Sequence, residues 1–237
     1  MLTQGMYTIL AALVLVAGLS DAELTRNIQR QLSNLDYGSR RPVVSVKGGV
    51  VSIDGTVASL WLKEETINRI LKVEGIESIM SDMVIGKAEN DEKLAAEVFK
   101  RINSYSQFTV YDTFDGRVKN GVVYLAGAVT DPKKSTDVVE RIARVKGVQA
   151  IDNKVTVLPA SQSDDRLRVQ VANAIYSLPE FERYSMADPP IRVIVNRNRV
   201  TLIGYVRADI EKFKALEAAK FVEGSIAVED KITVVKR

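Results

Sequence analysis

The sequence predicts an α+β (α/β) fold of three tandem small domains. Each runs helix-strand-strand-helix-strand and forms a three-stranded mixed sheet covered by two helices. Three observations predict it. A hairpin segment occurs three times, a second glycine follows it at a fixed distance each time, and the apolar residues around both keep one phase in all copies.

Each copy opens with an Asp placed to cap a helix, then an apolar stripe at every fourth residue: Asp21 with Leu24, Ile28 and Leu32; Asp91 with Leu94, Val98 and Ile102; Asp164 with Leu167, Val171 and Ile175. Two strands follow, beginning near Val43, Phe108 and Ile191. Their hairpin carries the repeated segment, Gly49-Val50-Val51-Ser52-Ile53-Asp54-Gly55-Thr56-Val57, then Gly121-Val122-Val123-Tyr124-Leu125-Ala126-Gly127-Ala128-Val129, then Asn198-Arg199-Val200-Thr201-Leu202-Ile203-Gly204-Tyr205-Val206. Asn198 stands where the other copies have Gly, and Asn is the non-Gly residue that best tolerates the left-handed backbone of such a turn.

The later glycines, Gly75, Gly147 and Gly224, each lie 20 residues beyond Gly55, Gly127 and Gly204. Between them, Ile67, Ile70 and Val73 are matched by Val139, Ile142 and Val145 and by Leu216, Ala219 and Val222, one face of a helix that the trailing glycine ends. A closing strand carries Ile79, Met83 and Ile85, then Ile151, Val155 and Val157, then Val228, Ile232 and Val234. A helix joins the last two strands of each copy, so they should run parallel. The resulting boundaries are 21–88, 89–160 and 161–237, with irregular stretches at Asp112 to Asn120 and Pro179 to Pro190.

Ahead of the repeats, residues 1–20 contain the apolar run Met6 to Leu19, followed by Ser20-Asp21-Ala22 with small residues suited to cleavage after Ala22. The run reads as a signal peptide or as an N-terminal anchor that retains the chain at the membrane; the first basic side chain is Arg26, so only the α-amino group is positive before it. Cleavage after Ala22 would also remove Asp21.

The chain of 237 residues has no His and no Cys, which excludes disulfides, thiolate-metal sites, Cys or His nucleophiles and a Ser-His-Asp relay. No catalytic, metal or cofactor-binding residues are expected. Asp54 beside Gly55 has Ala126 and Ile203 as its equivalents and reads as a polar strand residue. The formal net charge of +3 is too small to imply a nucleic-acid partner. The excess sits in the third copy, where Arg192, Arg197 and Arg199 lie on or near the hairpin tip and form a candidate phosphate contact.

The G-V-V-x-[LI]-x-G-x-V hairpin, the glycine pairs Gly75-Ile76, Gly147-Val148 and Gly224-Ser225, and the closing strand together resemble the BON family, named for bacterial osmotically inducible and nodulation proteins. The resemblance implies an exported periplasmic or envelope protein associated with osmotic or envelope stress, for which phospholipid binding has been proposed, and no catalytic residues. Two functions follow as expectations: a non-enzymatic module binding anionic phospholipid surfaces, or a protein-interaction scaffold that assembles with envelope proteins or as a homo-oligomer, its sheet edges open to strand addition. Alignment on the glycines puts Trp61, Lys133 and Ile210 at one helix position and Lys72, Arg144 and Phe221 at another. Positions held by Lys or Arg in a sister copy should face solvent and not their own unit's core, so Leu60 and Trp61, and Ile210 with Phe221, are expected at membrane or partner contacts, or at packing between neighbouring units.

Overall fold

The structure is a computed structural model that describes residues 19–88, 90–186 and 188–235. Leu19 apart, the N-terminal apolar run lies outside the described residues. Among them, no helix is long and apolar enough to cross a membrane. The chain divides into two compact units. One holds the described residues up to Gly55 with Glu65–Met83; the other holds Thr56–Glu64 with everything from Val84 onward, so the second and third repeats lie in one unit.

The first repeat comprises α1 (Asp21–Leu32), β1 (Val43–Lys47), β2 (Val50–Asp54), β3 (Thr56–Val57), α2 (Leu60–Ile70), β4 (Ser78–Ser81) and β5 (Val84–Ile85). The second comprises α3 (Asp91–Asn103), β6 (Thr113–Lys119), β7 (Val122–Val129), α4 (Pro132–Ala143) and β8 (Ala150–Val157). The third comprises α5 (Gln162–Tyr176), a 3-10 turn (Pro179–Phe181), β9 (Ile191–Asn196), β10 (Arg199–Val206), α6 (Asp209–Lys220) and β11 (Ala227–Val234). Strand orders are β1-β2-β4, β6-β7-β8 and β9-β10-β11, with each hairpin antiparallel and each last pair parallel. The predicted fold class is the observed one.

The stripes read from sequence build the cores. Leu94, Val98 and Ile102 of α3 meet Val123 and Leu125 of β7 and Val138 and Ile142 of α4. In the third repeat Leu167, Val171 and Ile175 pack with Phe181, Leu202, Ala215 and Ile232, and this core also takes in Val110 from the second repeat.

Three details differ from the expectation. The helix caps are Ser20, Asn90 and Ser161, not the aspartates. Asp21, Asp91 and Asp164 instead accept backbone N–H bonds from both residues of the hairpin turn: Gly48 and Gly49, Asn120 and Gly121, Arg197 and Asn198. All six turn residues have positive φ, the two-residue turn that matches strand twist. The second hairpin starts at Thr113 and not near Phe108, so Asp112 to Asn120, read as irregular, is largely strand β6. Its Asp, Gly and Lys content belongs to a charged edge strand, where such residues discourage edge-to-edge pairing, while Phe108 packs its ring 4.9 Å from that of Tyr105. Finally, the closing strand of the first repeat is interrupted between Ser81 and Val84.

The central hairpin glycines are set by space as well as φ. A Cβ on Gly127 would lie 2.1 Å from the Thr113 carbonyl oxygen, and one on Gly204 2.0 Å from that of Pro190.

Candidate functional site

The two aligned helix positions meet different fates in different repeats. Trp61, in the first turn of α2, is partly buried, with the Arg144 guanidinium carbon 3.7 Å from its ring centroid. Glu140 accepts from the same guanidinium at 2.6 Å and holds it there. Beside them the Gly147 N–H donates to the Ala58 carbonyl at 3.1 Å, and Gln149 Nε2 donates to the Gly86 carbonyl at 3.2 Å. Trp61, at the start of α2, therefore contacts the second repeat through Arg144, and Leu60 beside it is half-buried. Leu62, next in sequence, is a core residue.

In the third repeat the same positions are open. Ile210 is 51% exposed and Phe221, immediately after α6, is 85% exposed. At 100° per residue, positions 210, 213, 214, 217 and 221 fall on one side of the helix. Phe213, 55% exposed, therefore joins the stripe, together with Lys214 and Glu217, whose charged atoms are 3.6 Å apart. The opposite face carries Ala215 and Ala219 into the core. Glu211 is also buried there, its carboxylate accepting from the Arg207 and Ala208 N–H groups and from the Tyr184 hydroxyl and Arg183. The helix is thus anchored through one face while its other face presents large apolar side chains to solvent.

The three arginines separate. Arg197 and Arg199 stand exposed at the β9–β10 turn. Arg192 lies five residues before Arg197, half-buried, and donates to the Thr109 carbonyl at 2.9 Å. Burial lowers its pKa from the ordinary guanidinium value. It belongs to the junction between the second and third repeats, where the Val193 N–H also donates to the Val110 carbonyl at 2.8 Å. Nearby, Asp112 is buried and accepts from Lys134 Nζ, from the hydroxyl and N–H of Thr109, and from those of Thr130. Burial alone would raise its pKa, but these donors outweigh burial and hold the carboxyl below its ordinary value.

The hairpin clamps, the paired glycines and the parallel closing strand recur in three copies, and the BON domain profile matches residues 20–87, 90–159 and 163–236. The chain belongs to the BON domain family. No curated protein sequence matches it. Among solved structures it is similar to CdsD, a structural protein of the type III secretion system of Chlamydia trachomatis, at 14% identity and a TM-score of 0.27, over 90% of this chain and 93% of that one. It is likewise similar to the C-terminal domain of CdsD, at 14% identity and a TM-score of 0.26, over 92% of this chain and 100% of that one.

BON domains occur often in envelope proteins and are typically periplasmic or envelope-associated. In this chain several sheet edges are already occupied. On β9, the Tyr176 hydroxyl takes the Ile191 N–H and carbonyl, and Arg168 takes the Val195 carbonyl. On β8 and β11, Asn153 and Asp230 take the N–H two residues further along their own strands, at Val155 and Ile232. Edge addition on these strands must first displace those bonds. Phe213 was missed in the sequence, although the same glycine alignment puts Glu64 and Thr136 at its position and marks it as solvent-facing.

Proposed function

We propose that this BON protein is a non-enzymatic component of the bacterial envelope that supports envelope integrity, including under osmotic stress, by surface contact and not by bond chemistry. It works in the periplasm, with the N-terminal apolar run serving as its export signal or anchor. The contact surface is the outer face of α6. One observation carries this reading: Ile210, Phe213 and Phe221 lie exposed on one side of a helix whose other side builds a core. Surface helices ordinarily keep that side polar, and clustered exposed apolar groups mark contact sites.

A second reading, docking on anionic phospholipid, is favoured by Lys220 beside the stripe and by Arg197 and Arg199 at the exposed turn. Trp61 no longer supports it, since Arg144 already covers that ring. Such attraction decays over a Debye length of about 8 Å at physiological salt, so binding should be weak and salt-sensitive.

The test is the double variant F213S/F221S in the full chain, checked for unchanged thermal unfolding. Fluorescence of an apolar dye, self-association and co-sedimentation with neutral and anionic vesicles across a salt series are measured for both proteins. The reading requires wild type to make at least one of these contacts and the variant to lose it. Equal behaviour of the two proteins in every assay overturns it. Recovery from the cytoplasmic fraction of the source cell would overturn the envelope assignment.

A further inference from the structure

We infer that the outer face of α6 is a two-fold self-association surface, on which α6 of a second copy lies antiparallel. The inference rests on reading that face as the contact surface and goes on to name its occupant. About the midpoint between residues 215 and 216, the stripe is a palindrome of chemistry. Antiparallel pairing sets Ile210 of one copy against Phe221 of the other, and Lys214 against Glu217, each relationship occurring twice by symmetry. Phe213 falls opposite Ala218, a large ring against a small side chain that leaves room for it. Parallel, in-register pairing would instead place Lys214 on Lys214 and Glu217 on Glu217, so the charges choose the antiparallel arrangement.

The same charges argue against an anionic membrane as the occupant. Glu217 lies in the middle of the stripe and is neutralised there by Lys214, at 3.6 Å. The centre of the face therefore has no net positive charge to offer a phosphate layer, whereas a second α6 supplies each charge with an opposite one. Exposed aromatic side chains bury at most ~150–250 Å² each, so two stripes together enclose roughly 800–1,000 Å². That lies at the low end of specific interfaces, the range of weak, transient association.

Sedimentation velocity of the full chain from about 1 to 200 μM tests the inference, with far-UV circular dichroism melts confirming that each variant folds. Wild type should pass from monomer to dimer, and F221D, altering a side chain that supports no core, should remain monomeric. K214E places Glu opposite Glu217 and E217K places Lys opposite Lys214; each should weaken the dimer about 3- to 10-fold, and K214E/E217K together should restore it to within about 2-fold of wild type. A wild-type monomer at every concentration, or a dimer unmoved by F221D, overturns the inference. So does a charge double variant no better than the singles. Vesicle binding by wild type that F213S/F221S abolishes, without any self-association, would overturn the dimer while leaving the contact surface in place. Failure of F213S/F221S to change any contact would remove the surface itself.

Discussion

Lys134 Nζ lies 2.6 Å from Asp112 Oδ2, with the two side chains only 13% and 1% exposed. The pair ties the start of α4 to the segment that leads into β6, beside the junction with the third repeat. Replacing Asp112 by Ala strands the ammonium group with little water to solvate it and should destabilise this unit by about 3–5 kcal/mol. D112A thermal unfolding checks it; a change within about 0.5 kcal/mol would mean the pair is already solvated.

The same carboxyl sets an acid limit. Its folded pKa lies below the unfolded value, so the stabilisation is fully present above the ordinary Asp pKa and is lost as pH falls through the folded one. Unfolding free energy should therefore decline below about pH 4. The decline should be shallower in D112N, which has no carboxylate to protonate. Parallel acid profiles for the two proteins would assign the loss to other groups.

Each Asp clamp should matter to its own repeat. Asp164 accepts from the Arg197 N–H at 2.8 Å and the Asn198 N–H at 2.7 Å. D164A leaves both donors without this partner and should cost about 1.5–3 kcal/mol. D21A should act alike on the first repeat, so a mature chain beginning after Ala22 would lose the same clamp. Amide exchange at the turn, measured by NMR, reads this directly: protection at Arg197 and Asn198 should fall before global unfolding.

Arg197 is the one non-glycine residue at the first turn position besides Asn120, with φ at 52°. A left-handed backbone brings Cβ close to the following carbonyl oxygen at a cost of about 1 kcal/mol, which Gly, having no Cβ, escapes. R197G should therefore raise Tm by roughly 2–4 °C, even though it removes a surface charge. A lower Tm would show that the arginine side chain contributes more than its backbone costs.

Trp61 reports the junction. Withdrawing the guanidinium in R144A should red-shift Trp61 emission and weaken the junction by roughly 0.5–1 kcal/mol. Vesicles and protein concentration should leave the wild-type spectrum unchanged. A blue shift on adding anionic vesicles would instead return Trp61 to the lipid-contact role.

Most of the fold was legible because backbone demands repeat. A two-residue turn between twisted strands needs positive φ, and Gly48-Gly49, Asn120-Gly121 and Arg197-Asn198 meet it with residues that can be compared copy against copy. Helix stripes and closing strands are short-range periodicities of the same kind. The sister copies also marked Trp61, Ile210 and Phe221 as surface positions, since a site held by Lys or Arg elsewhere must tolerate water. What sequence could not say is which of those positions stays open. Trp61 is covered by a residue 83 positions away, Arg144, while Phe221, the aligned counterpart of Arg144, faces solvent. The aspartates look like caps in the sequence because they sit at a helix start, whereas the donors to their carboxylates come from turns 27 to 34 residues later. Local sequence determines backbone conformation and the buried face of each element; which exposed groups meet is decided by how the chain brings distant elements together, a relation no periodicity within one copy encodes.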